Sequence, residues 1–312
     1  MGNQKIVVIG SSNTDMIIKM SRIPKPGETI LGGKFNTAAG GKGANQAVAA
    51  ARAGGEVTFV ARVGNDMFGK QAINGFINDG INVKNVFTDE QQPSGVAMIF
   101  VDDNGENSIA VASGANANLS VEDVKNARDE ILSAQVVLMQ LETPIETIRS
   151  AAKIAKEKDI KVILNPAPAQ KLDDELLSLI DVLTPNETEA ELLTGVKVTD
   201  IESAKKAGLA LLEKGLETVI ITLGCQGALL VTKNEVELVN GFKVKAEDTT
   251  AAGDTFNGAL AVGVAKGKGI KEAINFANAA GALSVTKLGA QPSAPAREEI
   301  DSFLVEQLAL HS

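Results

Sequence analysis

The chain of 312 residues sets 30 Lys and Arg against 39 Asp and Glu, for a net charge of -9; 44% of it is hydrophobic, with ten Phe, no Trp and no Tyr. That length and apolar content can bury on the order of three quarters of the unfolded surface. The scattered basic residues argue against nucleic acid or an anionic membrane as partner, and the shortage of aromatics argues against a site built on stacking.

The one histidine, His311, is the penultimate residue, and the one cysteine, Cys225, excludes an intrachain disulfide or a multi-Cys metal site. Acid–base chemistry therefore falls to carboxylates or lysines. With no signal peptide or long apolar run, a reduced, soluble, cytoplasmic setting is expected.

In chain order, a first strand KIVVIG (5–10) runs into GSSNTD (Gly10 to Asp15), not into the G-x-G-x-x-G of a dinucleotide site. Residues 15–38 read as short strands with turns, and GGKGANQA (Gly40 to Ala47) opens a helix over 43–53. A strand at 57–64 and a helix at 66–79 follow; Gly64, Gly69 and Lys70 approach a phosphate loop, but Gln71 stands where Ser or Thr would hold the metal. Residues 94–112 are again short strands. Helices at 120–133, 144–158, 187–194 and 200–214 then alternate with strands at 136–141, 161–165, 182–186 and 218–224. FKVKA (242–246) reads as a last strand before helices at 254–266, 270–287 and 296–309. This order predicts an α/β fold, residues 1–312 as one domain: a central, mostly parallel sheet flanked by helices, with 15–38 and 94–112 forming a small β-sheet, either a lid or a surface excursion.

DTTAAGDTFNGAL (Asp248 to Leu260) carries the most chemistry. Small residues allow a sharp turn into a helix, so the amides of Ala251, Ala252 and Gly253 are expected to point outward, where a helix N-terminus attracts anions. Asp254 sits beside them, as an acidic cap worth about 1 kcal/mol or as a catalytic carboxylate. Asn186 and Glu189 in PNETEAE have the spacing of a capping box. Asn13 and Asp15 suit a turn or a polyol, and Glu142 suits a hydroxyl or the helix entry at Pro144.

AGGKGANQA and DTTAAGDTF, in this order and spanning nearly the whole chain, resemble the two signatures of the ribokinase-like (phosphofructokinase-B-type) sugar kinases. GSSNTD and GGKGANQA resemble the ribose-phosphorylating branch; sugar-phosphate kinases more often read like GGKGINVA, from which Ala44 and Gln46 depart. The resemblance implies that Asn13, Asp15, Gly41, Lys42, Asn45 and Glu142 hold the sugar, and that Asp254 is the base beside an anion hole at Ala251, Ala252 and Gly253. It implies ATP at Asn186, Thr222, Gly224, Gly227, Gly253 and Asn278. Mg²⁺ would be held through water by Asn186 and Glu189, and a monovalent cation such as K⁺ at Asp248, Thr250, Ser284, Lys287, Gly289 and Ser293. The implied reaction is transfer of the ATP γ-phosphoryl to O5 of D-ribose, under a lid with Ala97 and Val111 facing the sugar. Pairing of two lids would give a homodimer. Deoxyribose, fructose or a nucleoside remain alternative acceptors, and a non-catalytic sugar-binding regulator the alternative class.

Overall fold

Residues 6–9 and 136–139 are apolar without alternation and buried throughout, so the strands they form need covering layers on both faces. The structure, a computed structural model, describes residues 4–310. Its first half runs β1 (Lys5–Ile9), β2 (Asn13–Lys19), β3 (Lys34–Gly40), α1 (Lys42–Arg52), β4 (Glu56–Gly64), α2 (Met67–Asn78), β5 (Asn82–Asp89), β6 (Gly95–Val101), β7 (Asn107–Ala112), α3 (Val121–Asn126), α4 (Arg128–Ser133), β8 (Val136–Met139) and α5 (Ile145–Lys156). It continues with β9 (Lys161–Leu164), α6 (Asp174–Leu177), β10 (Val182–Leu183), α7 (Glu187–Thr194), α8 (Ile201–Leu212), β11 (Thr218–Thr222), β12 (Gly227–Thr232), β13 (Val236–Asn240), α9 (Ala252–Ala265), α10 (Ile270–Ser284) and α11 (Arg297–Leu310).

The large sheet has the order β13-β12-β11-β10-β9-β8-β1-β4-β5. From β11 to β5 every pair is parallel. The links to β12 and β13 are antiparallel, because a connection of a few residues can only close a hairpin. Alternation along β1 sends Val7 and Ile9 into one core, with Ile148 of α5 and Leu211 of α8, and Ile6 and Val8 into the other, with Val48 of α1, Leu260 of α9 and Ile274 of α10.

A second sheet, ordered β3-β2-β6-β7, stands off the first. Its register places Ala38, Asp15, Ala97 and Val111 in one row, so these four share a face. All six residues of β7 are exposed.

Three expectations need correction. FKVKA is irregular: it follows the edge strand β13 in the chain and pairs with no strand, and Phe242 packs edge-on against Phe303 of α11. The helix expected over 120–133 is two helices meeting at Ala127, whose ψ of 7° breaks the turn while its N–H donates to Asp123 and Val124 carbonyls. Strands β5, β12 and β13 were not expected. The small sheet also reaches a little further than 15–38, from Asn13 to Gly40. His311 lies outside the described residues.

Candidate active site

Three chain turns meet where β1 and β8 end and α1 begins. Gly41, with φ 90°, is the N-cap of α1, and a β-carbon there would lie 2.7 Å from the Asn13 nitrogen. One on Gly43 would meet the Ser11 nitrogen at 2.5 Å. Glycine is thus what lets this helix start approach the end of β1. The closeness places the Lys42 N–H 3.0 Å from Glu142 Oε2, which also accepts from Ser11 Oγ. A β-carbon on Gly40 would fall 2.3 Å from the Asp15 carboxylate, so the two strands of the hairpin pack directly against it.

Three carboxylates, Asp254, Glu142 and Glu189, act on the Lys42 ammonium here, and Asp15 feels two of them. Burial, then Glu142 and Asp254, push Asp15 up to about 6. Burial works against the Lys42 charge, but Asp254, Glu142 and Glu189 hold its pKa above the ordinary lysine range. Asn13 Oδ1 accepts from Asn116 Nδ2 at 2.7 Å, and Asn116 also bonds both backbone groups of Ser12, which ties the root of β2 to the segment after β7.

Asp254 is not a cap: it lies in the first turn of α9, and its side chain turns toward α1. Its Oδ2 accepts from Asn45 Nδ2 (3.0 Å) and its Oδ1 from Gln46 Nε2 (2.9 Å). Burial raises its pKa against the pull of Lys42 and these two amides. Asn45 Oδ1 is buried without a partner, so this side chain has an acceptor left to offer.

The helix start departs from expectation in one respect. Ala251 caps α9 in the left-handed region (φ 57°, ψ 17°), and the Ala252 N–H closes a turn onto Thr249 O at 3.3 Å, so it does not point out unpaired. Among the described residues the amides of Ala251 and Gly253 have no acceptor. Asn257 Nδ2 holds the Gly253 carbonyl at 2.8 Å.

On the other side of this turn opens a cavity of about 690 Å³. Asn186, Thr222, Gly224, Gly227, Gly253 and Asn278, six residues drawn from four stretches of the chain, all line it, with Phe242, Val244, Ala246, Phe256 and Val285 as apolar wall. Asn278 Nδ2 is taken by the carbonyls of Val239 and Asn240, so its side-chain oxygen is the group left to accept from a ligand. Asn186 and Glu189 do form the capping box, with Asn186 Oδ1 accepting from Glu189 N at 2.8 Å and Glu189 Oε2 from Asn186 N at 2.9 Å. Burial raises Glu189, whose charge is felt by Lys42 and Asp254. Each oxygen keeps lone pairs, which fits a cation bound through water. Among the described residues no group of three or more His, Cys, Asp or Glu is placed to hold a metal ion directly.

Asp248 accepts from Thr250 N (2.9 Å) and Gly289 N (2.8 Å); burial opposes its charge, yet these bonds leave its pKa below the usual value. Lys287 N–H donates to Ser284 O, whereas Ser293 keeps to itself, its Oγ on Ala290 O. Among the described residues the carbonyls of Thr250, Lys287, Gly289 and Ser293 accept no hydrogen bond, which is the donor set a weakly hydrated monovalent cation uses. Ser284 O is occupied and fits that set less well.

A mostly parallel α/β sheet with a buried carboxylate at a helix start, between a polar cluster and a large cavity, defines a phosphotransferase-like arrangement. The family described as pfkB family carbohydrate kinase matches residues 3–297, and the chain belongs to that family. It is 50% identical to a ribokinase of Haemophilus influenzae over 96% of this chain and 98% of that one. It is 40% identical to a deoxyribokinase of Salmonella typhimurium over 96% and 98%. Among solved structures, the Arabidopsis thaliana ribokinase complexed with ribose and ATP superimposes with a TM-score of 0.90 at 34% identity, over 97% of this chain and 99% of that one.

Sequence reasoning missed Ser11, Gln46, Asn116, Gln140 and Asn165, which build the site from behind. Ser11 and Gln46 lay inside motifs already singled out, GSSNTD and GGKGANQA.

Proposed function

We propose that this carbohydrate kinase transfers the γ-phosphoryl of ATP to O5 of D-ribose, giving D-ribose 5-phosphate. The observation that carries the reading is Asp254: a buried carboxylate, held by two amides, at the helix start that separates the carboxylate-rich pocket from the apolar cavity. The sugar lies against Asn13, Asp15, Gly41, Lys42, Asn45 and Glu142, whose oxygens and nitrogens match a polyol that a dry pocket would otherwise leave unpaired. ATP lies in the cavity at Asn186, Thr222, Gly224, Gly227, Gly253 and Asn278.

Asp254 accepts the proton of the attacking hydroxyl. Phosphoryl transfer states are loose, so this proton leaves late and a modestly basic carboxylate suffices. Lys42 and the amides at Ala251 and Gly253 face the charge gathering on the transferred group, with Ala252 reaching it once its bond to Thr249 O opens. When bound, Mg²⁺ near Asn186 and Glu189 would neutralise phosphate charge, and a monovalent ion near Asp248 would fix the turn that presents the amides. The small sheet, about 15–38 and 94–112, acts as a lid of the single domain that keeps water from the nucleotide, with Ala97 and Val111 in the row of Asp15. Phe35, exposed on the face of this sheet opposite to Asp15, supports pairing of two lids in a homodimer. Among the described residues no helix is long and apolar enough to cross a membrane, in keeping with a cytoplasmic enzyme of small substrates.

A coupled ADP-release assay across ribose, 2-deoxyribose, fructose and a nucleoside tests this. Ribose should give the highest kcat/KM. The deoxyribokinase relative at 40% identity keeps deoxyribose as the second reading, and a wild-type preference for it would overturn ribose as the substrate.

A further inference from the structure

Behind Asp254 runs a chain of buried amides that the proposed reaction does not use. Gln46 on α1 is fully buried. Its Nε2 donates to Asp254 Oδ1 (2.9 Å) and to Asn165 Oδ1 (3.1 Å), and its Oε1 accepts from Gln140 Nε2 (2.5 Å). A backbone atom fixes the direction of this chain. Asn165 Nδ2 donates to the carbonyl oxygen of Thr184 at 3.0 Å, and a carbonyl can only accept. Asn165 must therefore turn its own oxygen to Gln46, and Gln46 must answer with N–H. Both of its N–H bonds are then committed, one of them to the carboxylate.

We propose that Gln46, locked in one orientation by Asn165 and Gln140, is a positioning residue for Asp254: it aims the carboxylate and keeps it ionised and ready to take a proton. The inference rests on Asp254 acting as the base. The charges that face Asp254 are Lys42 from α1, Glu142 after β8, Asp15 from β2 and Glu189 from α7. Burial and the carboxylates favour the protonated form, Lys42 and the two amide donors favour the ionised one, and Lys42 makes no direct ion pair with it. Removing one donor therefore moves Asp254 toward holding its proton at neutral pH, where it can accept none.

A residue that only filled the core would act otherwise, lowering stability without moving the pH profile of kcat. Gln46→Met keeps the shape and removes the donor; Gln46→Glu keeps the shape and sets an acceptor against two acceptors. The test measures kcat from pH 5.5 to 9 on the sugar the wild type uses best, with calorimetric Kd values for ATP and sugar and the Tm. Gln46→Met should lower kcat at pH 7 by about 10- to 100-fold and shift the acid limb to higher pH by roughly one unit, so that the deficit shrinks toward pH 9. Both Kd values should stay within about threefold. Gln46→Glu should lose more. Asn165→Leu, which frees Gln46 to turn, should shift the limb the same way by less, and with Gln46→Met it decides the matter if Gln46→Glu does not fold. An unmoved acid limb, or a loss confined to Kd and Tm, overturns the positioning role. Failure of the wild type to transfer phosphoryl to any sugar would instead overturn the functional reading.

Discussion

Around Lys42 the polar side chains Asn13, Asp15, Glu142 and Asp254 are held by other side chains and by glycines with no room for a β-carbon, whereas the cavity beyond Gly253 is walled by Phe, Val and Ala and leaves Gly224 and Gly253 open, its tight glycines, Gly227 and Gly241, being crowded by backbone alone. A β-carbon on Gly40 or Gly95 would sit 2.3 Å from Asp15 Oδ1 or 2.2 Å from Asn13 Oδ1. One on Gly224 or Gly253 would meet nothing within 4 Å. The two ends of one reaction path therefore discriminate differently. The first reads its ligand by fixed donors and acceptors, where a missing hydroxyl strands a desolvated partner; the second reads by shape and backbone, where one lost contact is diluted.

The sharpest way to break this contrast is at their junction. Asp254→Asn keeps the two amide neighbours but cannot take a proton, so kcat should fall by roughly 10²- to 10⁴-fold while the ATP Kd changes little; single-turnover kinetics with a separate ATP titration checks it, and near-normal turnover would remove Asp254 from the reaction. On the polar side, ribose should exceed 2-deoxyribose by about 5- to 150-fold in kcat/KM, equivalent to about 1–3 kcal/mol for an unpaired buried carboxylate. Asp15→Ala should shrink that gap.

The same residue gives the polar side a pH dependence that the apolar side lacks. Asp15, raised to about 6 by burial, Glu142 and Asp254, accepts hydroxyls as a carboxylate and loses that capacity as it protonates. Sugar KM should therefore be flat above about 6 and rise up to about tenfold per unit as pH falls below it, while ATP KM stays level. Steady-state KM values across pH 5–8 test this, with Asp15→Asn expected to abolish the slope. The smallest effect belongs to the turn that both ends share: replacing Na⁺ or a bulky organic cation by K⁺ at constant ionic strength should raise activity a few-fold, and Asp248→Ala should flatten that response. Equal rates in all three salts would reject a cation there.

Much of this was legible in the sequence because it depends on local chemistry. The parallel strands were readable as β-branched runs, and the capping box at Asn186 and Glu189 as a three-residue spacing. The six residues expected at the nucleotide were brought to one cavity although they come from distant segments, since the motif order carried the topology with it. What escaped was decided by tertiary context. FKVKA alternates like a strand, but alternation records which side faces a core and not whether a neighbour exists to bond. Gln46, Gln140 and Asn165 acquire meaning only once α1, β8 and β9 lie side by side, because a buried amide has no sequence signature of its own. The Ala252 amide was misread for a subtler reason: the sequence announces a helix start, but not which of its first N–H groups folds back on the preceding turn.

Ala251 holds a left-handed conformation with a side chain attached, which costs roughly 1–2 kcal/mol relative to the right-handed region. That conformation is maintained before any anion arrives, by the bonds of Asp248 to Thr250 and Gly289 on one side and of Asn257 to Gly253 on the other. At Ala251 and Gly253 the entrance of α9 is thus already set for an anion, with only the Ala252 bond to Thr249 O left to open. A phosphate reaching it meets donors that need no rearrangement of the peptide planes at Ala251 and Gly253, so its attraction is available for catalysis and not consumed in ordering the loop.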